Sequence, residues 1–278
     1  MSSTISLVWL SLLVFVTILT TLVITARRQS RLRREHQQAG LQSIAAMLET
    51  MRFIQKHRGL TSNQLSTNNN LDKEIQHKRE CVNSEIHSIE ETFHRIPFFK
   101  QTSWEKLTEG WESLSCHWRE LEPLENITAH CHLIKLILQS LPILAAQTRI
   151  NCSAVDHHLH YLLNSAPQLL EQIGQFRSLS VHALSVNNNE VELIERVVAL
   201  GDTINQELIG LNSSATMSTY SHQALAETMS KVSRALTLDD EKPPLIDDVY
   251  RQTSLVIDEL LANIRHQLLN ISRSHNPS

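Results

Sequence analysis

Turn-forming and aromatic residues are scarce in this chain of 278 residues. It contains six glycines and seven prolines, and aromatic residues make up 5% of it. Folds built from many short strands need turn residues much more often, so an all-β sandwich or barrel is excluded and a doubly wound sheet is disfavoured. A hydrophobic content of 41% is enough for a packed core, which excludes a disordered chain. The composition therefore predicts long helices.

The signatures of metal, nucleotide and nucleophile chemistry are missing as well. Four scattered cysteines without a CxxC pair favour a reducing compartment over a disulfide framework. The 15 histidines show no HExxH-type spacing, and the chain has no P-loop, GxGxxG or GxSxG sequence. No isolated pair of acids on an apolar face suggests acid–base catalysis. We therefore expect no metal, no cofactor and no enzymatic activity.

Positive charge is limited outside the N-terminal region. The formal net charge is −4, and the residues beyond position 40 carry 20 basic and 28 acidic side chains. A protein that holds nucleic acid needs a basic surface to meet the phosphates. We therefore expect no nucleic-acid partner.

A long apolar run lies near the start of the chain. Residues Ile5 to Thr25 read ISLVWLSLLVFVTILTTLVIT, 21 positions without a charge. A helix of this length rises about 1.5 Å per residue and crosses a hydrocarbon core about 30 Å thick. A cleaved signal peptide would have a basic start and a shorter apolar region, whereas here the basic residues follow the run. We therefore expect a retained transmembrane anchor over residues 1–26.

Five arginines follow the run within eight residues, and no charged side chain precedes it. They are Arg27, Arg28, Arg31, Arg33 and Arg34, in a basic juxtamembrane linker over residues 27–40. By the positive-inside rule, this asymmetry predicts a single-pass inner-membrane protein whose remaining chain is cytoplasmic; a periplasmic location is the alternative. The arginines are expected to contact anionic lipid headgroups. No other apolar run in the sequence approaches 18 residues, so we expect no second span.

Residues 41–268 are predicted to form one helical domain, with a tail over residues 269–278. Stretches with helical periodicity, about 18 to 40 residues long, are separated by short segments rich in Asn, Ser, Asp or Pro. We interpret these segments as turns or loops: Ser62–Asn70, Pro97–Phe99, Asn187–Asn189, Asn212–Met217 and Asp239–Pro244. The pattern predicts an all-α fold of antiparallel helical bundles, two packed bundles of the four-helix type.

Two predicted helices carry an arginine on their apolar face. Residues spaced by three and four share one side of a helix, so each seam marks the surface that faces the core. The seams are Leu41, Ile44, Leu48, Met51, Gln55 and Arg58 in the first helix, and Leu163, Ala166, Leu170, Ile173, Arg177, Ser180 and Leu184 in a middle helix. Arg58 and Arg177 therefore occupy positions at which packing favours an apolar residue.

A guanidinium that is buried must meet an anionic partner, because it cannot lose its charge by deprotonation. Two interpretations follow: a structural ion pair with a carboxylate of the chain, or an external anion bound between helices. Gly59 and Gly174 lie close to the two arginines and would leave room for a small ligand. Thr61 and Ser178 could donate further hydrogen bonds to an oxyanion.

Three stretches of the chain share a recognisable pattern. They contain Gln55, Arg58, Gly59, Leu60 and Thr61, then Gly174, Arg177 and Ser178, and finally Tyr250, Thr253, Ile257 and Asp258. In this order they resemble the nitrate- and nitrite-sensing (NIT) domain family, which carries Gln-x-x-Arg-Gly-(Leu/Ala)-(Ser/Thr), Gly-x-x-Arg-(Gly/Ser) and aromatic-x-x-Thr-x-x-x-Ile-Asp stretches. The likeness extends from about Leu41 to Leu268, most of the chain beyond the predicted anchor.

The resemblance implies an all-helical sensor that binds nitrate or nitrite between its bundles through arginine side chains. It implies Arg58 and Arg177 as ligand-binding residues, with His57 and Arg234 as further candidates. Ser178 departs from the family, in which glycine is commoner at this place. No kinase, cyclase or DNA-binding module accompanies the domain, so the signal would pass to a separate output protein.

The leading hypothesis is therefore a membrane-anchored sensor of a small oxyanion, in which the ligand neutralises two repelling cations. The rival hypothesis is a membrane-tethered helical scaffold without a small ligand, in which the same arginines pair with acids of the chain. Seams close to the membrane would also allow a homodimer.

Overall fold

The protein folds into helices that pack against one another. The computed structural model describes residues 2–67, 69–150, 157–186, 190–210, 217–238 and 243–274. Within these ranges it contains no strand, which confirms the predicted all-α fold. The helices are α1 (Ser2–Thr67), α2 (Asp72–Phe93), α3 (Thr102–His117), α4 (Pro123–Gln147), α5 (His157–His160), α6 (Ala166–Ser185), α7 (Val191–Gly210), α8 (Thr219–Leu238) and α9 (Pro243–Ser274).

Helix α1 takes part in two bundles. It packs against α2 and α4, and α3 completes this first bundle by packing on α4. It also packs against α6 and α9, which form a second bundle with α7 and α8. The prediction of two bundles is therefore confirmed, with the addition that they share one helix. Three buried tryptophans, Trp104, Trp111 and Trp118, fill the first bundle from the α3 side.

Helix α1 extends further toward the C-terminus than the sequence predicted. A loop was predicted from Ser62, but the helix continues to Thr67 because α4 supports it there. Asn126 of α4 donates to the hydroxyl oxygens of Thr61 at 2.9 Å and Ser62 at 3.2 Å. The predicted boundaries near residues 26 and 40 lie inside α1, and α9 continues past residue 268, so these divisions stay predictions.

The predicted anchor forms the N-terminal part of α1. The side chains of residues 2–8, 10–12 and 14 lie outside the described part of the structure. Of the others, Trp9, Leu13, Phe15, Leu19 and Ile24 are each more than half exposed. This end of α1 therefore presents apolar side chains that the described protein does not cover.

One described helix matches a membrane span by length and composition. Within the described ranges, the only helix that passes such a test is α4, Pro123–Gln147, with a mean hydropathy of 1.4. The sequence did not lead us to expect this. Its side chains Ile134, Ile137, Leu141 and Leu144 are fully buried in the bundle. We assign the apolar character of α4 to the core of the first bundle.

Local geometry sets the start of α6, the helix that carries Arg177. A π-helical turn, Tyr161–Ser165, precedes α6, and Pro167 occupies its second position. Proline has no N–H and crowds the carbonyl of the preceding turn, and a wider turn relieves that crowding. The chain can therefore enter α6 without losing the helical direction that brings Arg177 to α1.

Candidate functional site

Arg58 and Arg177 meet in the core where α1, α6 and α9 pack together. Both side chains are fully buried, with 0% of their surface exposed. This confirms the position of both arginines on buried seams. We refer to Arg58, Glu171 and Arg177 as the arginine cluster.

Arg58 is paired with a carboxylate of the chain itself. Its Nη1 donates to Oε1 of Glu171 at 2.6 Å, and its Nη2 donates to Oε2 at 3.3 Å. Nη1 also lies 3.0 Å from Sγ of Cys131. Burial alone would lower the pKa of Arg58, but the Glu171 carboxylate outweighs it and raises the pKa. Of the two interpretations of a buried arginine, the internal ion pair therefore applies to Arg58.

Glu171 is held in place from several sides. Besides the two bonds from Arg58, it accepts a hydrogen bond from Nε2 of Gln55 at 2.8 Å and one from Nε2 of Gln175 at 2.9 Å. Its side chain is 6% exposed. Four hydrogen bonds to one buried carboxylate fix its orientation.

Arg177 has no such partner. Its Nη1 donates to the hydroxyl of Ser254 at 2.9 Å, and its Nη2 donates to the backbone carbonyl of Gln55 at 2.9 Å. Its guanidinium carbon lies 5.0 Å from the centre of the Tyr250 ring. In the part of the chain that the structure describes, no carboxylate lies within ion-pair distance of Arg177. Burial lowers its pKa, and the nearby charge of Arg58 acts in the same direction.

The two guanidinium groups pack against the two glycines. A Cβ on Gly174 of α6 would lie 2.7 Å from Nη2 of Arg58, and a Cβ on Gly59 of α1 would lie 3.3 Å from Nη2 of Arg177. Helices α1 and α6 therefore each contribute an arginine, and each arginine packs against a glycine of the other helix. The space that the glycines were expected to leave for a ligand is filled by the guanidinium groups in this conformation.

The hydroxyls of Thr61 and Ser178 also donate hydrogen bonds within the protein. Thr61 donates to the backbone carbonyl of His57 at 2.9 Å, and Ser178 donates to that of Gly174 at 3.2 Å. The expectation that they are free to bind an oxyanion is wrong, since each satisfies a carbonyl of its own helix. Ser254 of α9 takes the hydroxyl role beside Arg177 instead.

His57 faces away from the arginine cluster. Its Nδ1 lies 2.8 Å from Nε2 of His130 on α4, and its ring meets Trp111 edge to face at 5.0 Å. His130 Nδ1 lies 2.8 Å from the carbonyl of Asn126, so the bonding pattern assigns both rings as neutral Nδ1–H tautomers. Burial lowers the pKa of His57 to about 3, and the charge of Arg79 adds to this. His57 therefore belongs to the core of the first bundle.

Arg234 also lies apart from the arginine cluster. It is exposed on α8 and lines a groove of about 270 Å³ between α6, α7 and α8, together with Asp202 and Gly201 of α7. Phe176 of α6 forms part of the same groove. No described contact joins Arg234 to Arg58 or Arg177.

The third stretch of the resemblance lies on α9, and its residues make contacts at two separate places on α1 and α6. Tyr250 and Ser254 reach Arg177, whereas Asp258 pairs with Lys56 at 3.0 Å and Arg52 at 3.2 Å. These last contacts link α9 to α1 one turn away from the arginine cluster.

Two residues at the cluster were missed from the sequence. Glu171 left a signal, because it is the only acidic residue in α6, Ala166–Ser185. The other titratable residues of α6 are Arg177, six positions later, and His182. A lone acid in such a helix suggests a counter-charge for a buried arginine. Ser254 left none, because serines are frequent in the chain and the contact depends on how α9 is rotated.

The geometry defines a class of protein: an all-α bundle with a buried cluster of two cations and one anion at the crossing of its central helices. No protein-family model and no curated protein matches the chain. Its structure is similar to that of the NasR transcription antiterminator, with a TM-score of 0.71 over 92% of this chain and 74% of that one. The sequence identity is 15%, so the likeness shows a shared fold alone. Membership of the nitrate- and nitrite-sensing family stays a prediction.

Proposed function

We propose that this protein is a sensor of a small monovalent oxyanion, nitrate or nitrite, which binds at the arginine cluster. The observation that carries the proposal is the fully buried Arg177, which no described carboxylate neutralises. Arg58 and Glu171 cancel each other, so the cluster has a formal charge of +1 inside the core. An isolated buried charge costs several kcal/mol, and one bound anion would remove that cost.

The chemistry of the site suits a planar ligand. An arginine presents a flat fork of N–H donors, which can give two parallel hydrogen bonds to a planar oxyanion. Nε of Arg58 and Nε of Arg177 are both buried without a hydrogen-bond acceptor in the described structure. These donors are available to a ligand that enters between the two side chains.

The resemblance to nitrate- and nitrite-sensing domains supports the choice of ligand. Its stretches lie on α1, α6 and α9. Gln55 and Tyr250 contact Arg177, and Gly174 lies against the guanidinium of Arg58. The fold shared with the NasR transcription antiterminator is consistent with a regulatory role. Neither the ligand nor a role in transcription follows from that likeness alone.

Binding would require α1 and α6 to separate locally, because the guanidinium groups fill the glycine positions. An anion that prefers the separated arrangement would shift the population toward it. The uninterrupted α1 joins Arg58 to the predicted anchor, a distance of about 50 Å from Thr25 at 1.5 Å per residue. We propose that the anchor holds the protein at the inner membrane and that a separate partner, or a second copy of the chain, responds to the shift.

A helical scaffold without a small ligand is the second candidate. The Arg58–Glu171 pair favours it, because this arginine already has the internal partner that a purely structural role requires. Arg177 argues against it, since a structural role gives no reason to bury an unpaired cation.

Thermal unfolding of the detergent-solubilised full chain tests the proposal. Nitrate or nitrite should raise the midpoint by several degrees relative to chloride at equal ionic strength, because a ligand at 100 times its Kd adds about 2.7 kcal/mol of stability. The shift should disappear in Arg177→Gln and persist in Arg251→Gln, which removes an exposed arginine of α9. Identical midpoints in both salts would support the scaffold.

A further inference from the structure

We infer that Glu171 is the specificity-determining residue that restricts the cluster to monovalent anions and rejects divalent ones. The inference rests on the proposed function, because it concerns the charge of the ligand that the same site accepts. It adds a role for a residue that does not itself offer a donor to an anion.

The first step is that Glu171 stays in the cluster as a fixed negative charge. Four hydrogen bonds, from Arg58, Gln55 and Gln175, hold its two oxygens. The side chain is nearly free of solvent contact, so a ligand that displaced it would leave a carboxylate buried without partners. A ligand is therefore expected to bind beside Glu171 and not in its place.

The second step is the charge balance. With Glu171 present, the arginine cluster carries a formal charge of +1, and one monovalent anion makes it neutral. A dianion such as sulfate would leave a charge of −1 in the core, beside a carboxylate that repels it. In a medium of low dielectric constant, this difference decides between ligands of similar size.

The surrounding groups do not supply the missing charge. Lys56 and Arg52 of α1 are both bonded to Asp258 of α9. His57 faces the first bundle and stays neutral near pH 7, because burial lowers its pKa to about 3. The valence of the ligand therefore depends on Glu171.

The test compares nitrate and sulfate binding to the detergent-solubilised full chain by isothermal titration calorimetry at matched ionic strength. The wild type should bind nitrate at least about tenfold more tightly than sulfate. In Glu171→Gln the cluster has a charge of +2, and the affinity ratio should move toward sulfate by at least about tenfold. Glu49→Gln is the matched control, because Glu49 is also a buried acid paired with arginines, Arg52 and Arg265, outside the cluster. Its ratio should equal that of the wild type.

A second variant separates charge from packing. Arg58→Met with Glu171→Met removes both members of the ion pair and leaves Arg177 with a charge of +1, so the preference for nitrate should remain even if affinity falls. An unchanged ratio in Glu171→Gln, or a preference for sulfate in the double variant, would overturn the role of Glu171 while leaving the sensor intact. A wild type that binds neither anion would overturn the proposed function itself.

Discussion

Arg58 and Arg177 are the same residue type at the same burial, yet their surroundings differ in a way that stability measurements can detect. Arg58 balances a buried carboxylate, whereas Arg177 is balanced only by a hydroxyl, a carbonyl and a ring face. Removing one member of a buried ion pair leaves the other charge without compensation. Removing an unpaired cation, in contrast, takes the uncompensated charge out of the core and leaves no other buried charge without a partner.

Arg58→Met should therefore destabilise the anion-free protein by about 3–5 kcal/mol, since it leaves Glu171 unpaired. Arg177→Met should cost less than about 1 kcal/mol or should stabilise the protein, because the loss of two hydrogen bonds is offset by the removal of a buried charge. Urea unfolding in a buffer without nitrate or nitrite measures both values. Equal losses in the two variants would contradict the unpaired state of Arg177.

Gly174 leaves no room for a side chain beside the guanidinium of Arg58. Gly174→Ala should destabilise the protein by about 1–3 kcal/mol, because its methyl group would lie 2.7 Å from Nη2 of Arg58, which the ion pair with Glu171 holds in place. Gly201→Ala on α7 is the matched control. Its methyl group would have no neighbour closer than 3.5 Å, so the gain in helix propensity should stabilise the protein by about 0.5–1 kcal/mol. Equal effects at the two positions in urea unfolding would show that the Arg58 contact is not tight.

At the scale of helices, the contact between α1 and α4 should make stability depend on pH. The folded-state pKa of His57 is about 3, and that of His130 is also lowered by burial, whereas an unfolded histidine titrates near 6.5. The folded protein thus binds fewer protons, so its stability is complete above about pH 6.5 and is lost as the pH falls toward 3. Between pH 7 and pH 5, His57 alone should account for about 2 kcal/mol of this loss.

Urea unfolding at the two pH values measures the loss. The double variant His57→Leu with His130→Leu should reduce it by at least about 2 kcal/mol, because neither position can then take up a proton. His87→Gln, at an exposed histidine of α2, is the control. An equal slope in the double variant would mean that other groups cause the acid sensitivity.

Sequence periodicity predicted the helices and the burial of both arginines, because a seam of residues three and four apart fixes which side of a helix faces the core. It did not predict the extension of α1 through Thr67, which depends on Asn126 from another helix. It also could not show that His57 and Arg58, neighbours in sequence, face different bundles. A rotation of about 100° between neighbours separates their partners, and those partners are known only once the helices are packed.

At the scale of the whole molecule, the exposed apolar end of α1 predicts membrane association. The full chain should sediment with membranes and resist alkaline carbonate extraction. Leu13→Arg with Leu19→Arg should release it, because each charge near the centre of a span costs about 3 kcal/mol. Leu32→Arg is the control, because Leu32 is equally exposed but lies beyond the apolar run among the arginines. A wild-type chain found in the soluble fraction would contradict the anchor.

Both bundles are built on the same helix, α1. Neither half of the molecule can lose its structure alone, because each would take from the other the helix on which it is assembled. The protein should therefore melt in a single step despite its two cores. A rotation of α1 at Arg58 would therefore change its contacts with α2 and α4 as well as those with α6 and α9.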